Sequence, residues 1–367
     1  MKLSNIIKTI ALAGFLLFLY DKSFKNNYFN YDSIPYVASA YMLSDRNLKE
    51  SHAYAWNLLK EKSHPSVFND LCCKTSYRKS MFNSSNAFGS HLPAYQTKSL
   101  YVFSIRLVSD VFNIDEFLAL KWISFASVVI MVLVIAAFLF QANLMIYLSI
   151  FPIFFLMQVI PIARLLTPDG LNALFMVCAG IGLLTKRKVF SYFLLLASIL
   201  IRQTNIIFFG IFLFFELRAG NYAKFFLLLF VGLMLYGINA YYFESLGYWR
   251  TFQSSLIRMP DSFVNFNPEF EISTFFSTLA AKIDWMLGDA QLNRLLSLFS
   301  LLFFISIYHL KNIEVERRNN ALVPLIFISC SILSFTLIPF PDFRIYSGHL
   351  IATAVTLLFS LSNKAKK

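Results

Sequence analysis

Apolar runs recur along the whole chain, separated by short polar or basic stretches. A membrane-crossing helix needs about 20 consecutive apolar residues. Ten segments approach that length or form paired halves of it: 5–20, 118–139, 143–160, 169–185, 189–201, 206–217, 225–243, 292–310, 321–340 and 346–362. The pattern predicts an all-α fold, a polytopic transmembrane helical bundle of about ten segments. Residues 1–367 read as a single transmembrane domain with two long loops, 21–117 and 244–291.

The polar intervals set the topology. Cytoplasmic connections collect Lys and Arg. With the N-terminus inside, the cytoplasmic connections are 141–143, Lys186-Arg187-Lys188, 218–224 and 311–320, together with the tail 363–367; four of these five are basic. Both termini are then cytoplasmic. The fifth and sixth segments form one apolar run broken by Arg202-Gln203-Thr204-Asn205. A single span there would put Lys186–Lys188 and the basic stretch 218–224 on opposite sides. A hairpin with Arg202 at its outer tip keeps both inside, although each arm is then only about 20 Å long. One span remains the alternative.

The first outer loop carries an amphipathic stretch, Ser99–Phe112, in which Leu100, Phe103, Leu107 and Val111 share a face and Arg106 and Asp110 lie elsewhere. It is short for a span and carries both charges, so it reads as a helix lying in the membrane interface. A second transmembrane helix is the alternative, and it would invert everything downstream.

Composition agrees with the pattern. The chain is 57% hydrophobic and 14% charged, with 42 Phe, against about 45–50% and about 25% in soluble domains. The net charge of +12 is concentrated between apolar segments, which argues against a nucleic-acid partner. Lys2 and Lys8 precede the first run, but Asp21-Lys22-Ser23 follows it in place of a small-residue cleavage site, so a retained anchor is expected. Cys178 and Cys330 lie in apolar segments; Cys72 and Cys73 are adjacent in the polar loop, without metal-site spacing. Walker A, dinucleotide-loop, HExxH and Asp-x-Asp patterns are absent from the sequence, and no metal or other cofactor is expected.

Ionisable residues at membrane depth or at span ends are functional candidates by default. On the expected outer side these are Asp32, Lys98, Arg164, Asp169, Arg202, Asp342, Arg344 and His349. Guanidinium groups bind phosphate oxygens bidentately, and a carboxylate can take the proton of an incoming hydroxyl. Each has a plainer reading. Asp169 after Thr167-Pro168 could cap a helix; Arg202 could snorkel; Lys98, Arg344 and His349 could anchor at headgroups. Tyr36 and Tyr346 could belong to an aromatic belt. His52, His64 and His91 lack ligand spacing and read as solvated, and Asp115-Glu116 reads as the end of the interfacial helix.

Several stretches, in order, resemble the C-type (GT-C) membrane glycosyltransferases that use polyprenyl-phosphate-linked sugars, such as protein mannosyltransferases and aminoarabinose transferases of lipid A. Asp32-Ser33-Ile34-Pro35-Tyr36 resembles the acidic motif after the first helix, with Ser33 where a second acid is usual. Lys98-Ser99-Leu100-Tyr101 resembles a juxtamembrane Lys/Arg-Pro-Pro-Leu-Tyr stretch without its prolines. Phe117–Ile123 resembles the start of the second helix, with Lys121 for Arg. Leu166-Thr167-Pro168-Asp169, Ile199-Leu200-Ile201-Arg202-Gln203-Thr204 and Phe343-Arg344-Ile345-Tyr346 resemble outer and late elements. Residues 244–290 match nothing in that pattern.

The resemblance implies Asp32 as catalytic base and Lys98 and Arg344 near a donor phosphate. Tyr36, Asp169, Arg202 and Tyr346 join them as candidate substrate-binding residues. The implied partners are the bilayer, a polyprenyl-phosphate-linked sugar and a glycan, lipid or protein acceptor, in the inner (plasma) membrane. The alternatives are a lipid-linked-sugar flippase or an assembly subunit without activity, for which the missing second acid leaves room.

Overall fold

The structure is a computed structural model and describes residues 3–25, 28–313 and 318–362. The described residues form helices and connections, with no strand. Six helices are long and apolar enough to cross a membrane: Leu3–Phe24, Glu116–Leu139, Tyr222–Tyr242, Leu292–Lys311, Arg318–Leu337 and Phe343–Ser362; Leu144–Leu156, Asp169–Leu184 and Lys188–Ile199 are apolar but shorter.

In chain order the elements begin with α1 (Leu3–Leu19), continued by a wider π-type turn, Tyr20–Phe24. Then come α2 (Ser33–Met42), α3 (Leu48–Lys62), α4 (Pro65–Cys73), α5 (Ser76–Asn83), α6 (Ser85–His91), α7 (Pro93–Gln96) and α8 (Ser99–Phe112). The bundle proper holds α9 (Glu116–Leu139), α10 (Leu144–Leu156), α11 (Val159–Arg164), α12 (Asp169–Leu184), α13 (Lys188–Ile199), α14 (Ile206–Phe212), α15 (Phe214–Arg218) and α16 (Tyr222–Tyr242). It closes with α17 (Gly247–Leu256), α18 (Ile272–Gly288), α19 (Ala290–Lys311), α20 (Arg318–Leu337) and α21 (Phe343–Ser362).

Local chemistry explains the breaks. Side-chain caps start several helices: Asn47 accepts from Glu50 N, Thr75 from Arg78 N, Ser84 from Ala87 N and Asp115 from Leu118 N. Each supplies an acceptor for an amide that the first helical turn leaves unpaired. The Asp115-Glu116 pair therefore starts α9 and does not end α8: Glu116 is buried and accepts from the Tyr54 hydroxyl at 2.5 Å. The apolar run 143–160 does not continue as one helix. Gln158 turns left-handed, with φ of 57°, and the separate helix α11 follows.

Two apolar cores result. One fills the bundle, around residues such as Phe154, Phe208, Phe212, Phe327 and Leu350. The other belongs to the segment 21–117, where Tyr36, Trp56, Met81, Phe88 and Tyr101 pack together and meet the start of α9 through Phe117, Leu120 and Ile123. The sequence reading treated 21–117 as a loop with one interfacial helix; it holds seven helices and a core. Cys72 and Cys73 are joined as a disulfide between neighbours there. Likewise 244–291 holds α17 and α18. Helix α8 buries Tyr101, Val102 and Ile105 and leaves Phe103, Leu107, Val111 and Phe112 exposed, so its free face is apolar.

The interrupted run 188–218 reverses direction. Lys188 at the start of α13 lies 3.2 Å from Glu216 in α15, whereas 28 residues of continuous helix would separate them by about 42 Å. Glu216 is fully buried; it also accepts from the Tyr192 hydroxyl at 3.0 Å and lies 3.4 Å from Lys224. Arg202 is thus at the turn. The same end of the bundle holds Lys8, which donates to the carbonyls of Phe140 and Ala142 at 2.7 Å each. Asp32, Lys98, Asp169, Arg202 and Arg344 all lie at the other end.

Charge at the two ends predicts which one faces outward. In a variant with Cys72 and Cys73 replaced, single cysteines at Asn86 and Asn267 are expected to react with a membrane-impermeant thiol reagent on intact cells, and one at Asn319 only after lysis. All three residues are exposed. Labelling of Asn319 on intact cells would reverse the orientation.

Candidate active site

The close approach of α12 and α21 places the site. A Cβ added to Gly348 would lie 2.7 Å from the Ala173 backbone, so only glycine permits this contact, which fixes the first turns of both helices. Asp169 opens α12 and Arg344 lies in the first turn of α21. Arg202 comes from the hairpin turn. Asp32 immediately precedes α2, and Lys98 immediately precedes α8.

These residues line one cavity of about 540 Å³, together with Tyr36 and Tyr346. The expected catalytic residue Asp32 and the six expected substrate-binding residues are therefore all in it. Arg344 is the hub: its Nη2 donates to Asp32 Oδ2 at 2.9 Å, its Nε lies 2.6 Å from Asp342 Oδ2, and Asp169 Oδ2 is 3.9 Å from Nε. Asp169 is buried, pairs with Arg202 Nη2 and accepts from the Thr167 hydroxyl at 2.7 Å. The capping reading of Asp169 gives way to this: its carboxylate joins two guanidinium groups. Asp32 Oδ1 accepts from the Tyr95 hydroxyl at 3.3 Å, so a lone solvated Asp is not what the fold contains. Arg202 does not snorkel either, since its side chain is 15% exposed and tied to a carboxylate.

Lys98 differs from the two arginines. Its ammonium stands over the rings of Tyr95 and Tyr36, 4.9 and 5.2 Å from their centroids, and it makes no ion pair among the described residues. Burial pulls it down to about 8, against the opposing pull of the Asp32 charge. A cation held on aromatic faces without a carboxylate partner is available to an incoming anion. Burial also raises the Asp342 carboxyl, with the Arg344 charge working against it. Tyr36 is buried between Tyr95 and Tyr101, edge to face with both, and burial pushes its phenol well up. It supports Lys98. The Tyr346 hydroxyl donates to the Ile338 carbonyl at 3.2 Å, and its ring packs on Phe299 and Phe335, so its contribution is positional.

Below the cavity floor the polar groups interlock. Asn205 Nδ2 donates to Asn172 Oδ1 at 2.6 Å and to the Ser198 carbonyl at 2.9 Å. His349 Nε2 meets Asn205 Oδ1 at 3.3 Å while its ring stacks on Phe208 at 4.0 Å. His349 is fully enclosed and is not a headgroup anchor. This network ties the hairpin turn to α12 and α21.

Other lining residues escaped the sequence reading. The roof is 245–263, the stretch that matched no motif, and it brings Arg258 and Phe263 to the cavity. His91, read as solvated, is 4% exposed, packs on Phe263 at 4.4 Å and is drawn down to about 4 by burial. Ser90 holds the same roof by accepting from Phe263 N at 2.9 Å. No periodicity in 76–91 or 245–263 pointed to this pairing. Arg164, grouped with the cluster from sequence, does not join it: α11 carries it to a different cavity beside Tyr28. Asp32 and Asp169 carry two negative charges, and Lys98, Arg202, Arg258 and Arg344 carry four positive ones, so the lining has a net charge of +2; Asp342 stands behind it, paired with Arg344. Among the described residues no group of three His, Cys, Asp or Glu side chains could hold a metal ion. No family model, curated protein or solved structure matches this chain.

Proposed function

We propose that the chain is a membrane glycosyltransferase of the GT-C kind, moving a sugar from a polyprenyl-phosphate donor to a cell-envelope acceptor at the outer face. One observation supports this reading above others. Five residues drawn from distant parts of the chain, Asp32, Lys98, Asp169, Arg202 and Arg344, meet in one cavity at the mouth of an apolar bundle. A polyprenyl chain needs lipid beside its phosphate, and a site at a helix-bundle rim gives both. On this reading the ten apolar segments all cross, with the short hairpin arms completing one pair of crossings.

The chemistry follows from the contacts. A donor phosphate reaching Arg344 competes with Asp32 for the guanidinium. Lys98, with no carboxylate of its own, adds a second positive contact. Asp32, released on one oxygen, accepts the proton of the acceptor hydroxyl as that oxygen attacks C1 of the sugar. The C1–O bond to phosphate breaks, the electron pair leaves on the phosphate, and the anomeric centre inverts. Arg344 and Lys98 stabilise the charge that develops there. Asp169 holds Arg202 and backs Arg344, so its part is to position.

The test is purified protein with polyprenyl-phosphate-linked sugars and an envelope extract, measuring acceptor-dependent release of polyprenyl phosphate. Donor translocation in vesicles without any release would replace this reading with a flippase. Lys98 supplies a pH signature. Its ammonium titrates near 8 and not 10.5, while the donor phosphodiester does not titrate in that range. Donor affinity should therefore fall by up to about tenfold per pH unit above pH 8. Lys98→Gln should weaken binding at pH 7 and flatten that profile. The sign is opposite for folding: the depressed value means that stability contributed by Lys98 rises between about pH 8 and 10.5 as the buried charge is lost. A flat affinity profile in the wild type would remove Lys98 from the donor site.

A further inference from the structure

A second, smaller cavity of about 180 Å³ lies at the same end of the bundle and shares no lining residue with the first. Its walls come from Tyr28 and Phe29, which follow the π-type turn, the end of α3, the start of α9 and the end of α11. Three cations reach it, Lys62, Lys121 and Arg164, against one carboxylate, Asp115, which leaves a net charge of +2. Lys62 is 3.2 Å from Asp115, so that acid is already engaged. The Arg164 guanidinium stands over the Tyr28 ring, 4.6 Å from its centroid. Among the described residues it makes no ion pair, and its buried Nε has no hydrogen-bond partner there. An orphaned guanidinium nitrogen in a basic cavity is an unmet demand for an anion.

The surroundings say where that anion comes from. Phe24 carries the Lys121 ammonium over its ring at 4.6 Å and packs on Trp122 and Phe125. Trp122 and Tyr20 are each 44% exposed, and the α1 surface just below them is apolar and exposed at Leu17. Exposed Trp and Tyr next to an apolar helix surface mark the level of lipid headgroups. The π-type turn, a feature common at functional sites, is what brings Phe24 to this rim. The cavity, at about 180 Å³, has room for a phosphate and the atoms attached to it.

We infer that this cavity is a second phosphate site, with Arg164 and Lys121 as its ligands, and that it takes the phosphodiester of an anionic membrane lipid. It is independent of the donor reading.

The experiment uses the full chain in detergent, with phosphatidylglycerol, phosphatidylcholine and inorganic phosphate added in turn. Native mass spectrometry counts bound lipid, and thermal unfolding reports binding of either kind. One phosphatidylglycerol should be retained in preference to phosphatidylcholine. Arg164→Gln and Lys121→Gln should each weaken it about tenfold or more, as loss of a charge-assisted contact implies. Arg164→Lys, which keeps the charge and tests folding, should keep most of the affinity. Arg344→Gln, in the larger cavity, should leave it unchanged, which separates failure here from failure of the donor reading. Stabilisation by inorganic phosphate that matches phosphatidylglycerol and is lost in Arg164→Gln would support the site and assign it to the free anion. Equal retention of the two lipids, or undiminished phosphatidylglycerol binding in both Gln variants, would overturn the proposal.

Discussion

Asp32→Asn is expected to lower sugar transfer about a hundredfold to ten-thousandfold, the usual worth of general-base assistance, while the protein still inserts and binds its donor. The geometry makes this substitution informative. Asp32 accepts from Arg344 at 2.9 Å and from the Tyr95 hydroxyl at 3.3 Å. An Asn in the same place can turn its oxygen to Arg344 and its amide to the Tyr95 oxygen, so both contacts survive. What it lacks is a second basic oxygen for the acceptor proton. The measurement is turnover with saturating donor and acceptor, alongside donor affinity and thermal stability. A fall in turnover with affinity held within a few-fold assigns Asp32 to the proton step. Full transfer by the Asn variant would remove it from the mechanism. A matching loss of affinity and turnover would instead make Asp32 the residue that holds Arg344 in position.

The buried Asp169–Arg202 pair should show the largest effect on stability. Asp169 is 3% exposed at its side chain and Arg202 is 15% exposed, so Asp169→Ala leaves a guanidinium enclosed without its carboxylate. Breaking a buried pair from one side is worth about 3 to 5 kcal/mol, which should appear as a marked drop in unfolding temperature. Removing both charges, as Asp169→Leu with Arg202→Met, should return most of that stability, because no charge then stays uncompensated. Transfer should remain low in the double variant, since Arg344 loses its third carboxylate, 3.9 Å away. Unchanged stability in Asp169→Ala would mean that the pair is solvated and that the cavity floor is more open than its burial implies.

Much of this site was legible in the sequence because its residues sit where apolar runs stop. Asp32, Lys98, Asp169, Arg202 and Arg344 each border a hydrophobic segment, and alternation of the segments puts such borders on two faces only. The hairpin followed from charge alone, since Lys186–Lys188 and 218–224 could share a side only if the chain turned at Arg202; the Lys188–Glu216 contact is that turn seen from its base. What stayed illegible lacked any periodic signal. Much of the core around Trp56 and Phe88 comes from helices of four to ten residues, α2, α4, α5, α6 and α7, too short to show a stripe. Helix α18 was hidden because Lys282 and Asp284 interrupt its apolar count. Arg164 was misplaced because the break at Gln158 is a backbone event: a single left-handed residue re-aims the last turn and sends its arginine to a different cavity.

The α13–α14 hairpin also constrains how the chain enters the bilayer during synthesis. Its two helices have 12 and 7 residues, and neither is long enough to partition alone as a span. The turn carries Arg202, whose passage through hydrocarbon without a partner costs roughly 2.5 to 3.5 kcal/mol on insertion scales. Asp169 leaves the ribosome 33 residues ahead of Arg202. The acid at the head of α12 is therefore made before the guanidinium that pairs with it, so a hairpin docking against α12 would find its counter-charge already in the chain. Glu216 then emerges after Lys188 and before Lys224, and closes the base of the hairpin as synthesis passes it. Acid first at the tip and cation first at the base is an order in which each charge meets a partner soon after it is made.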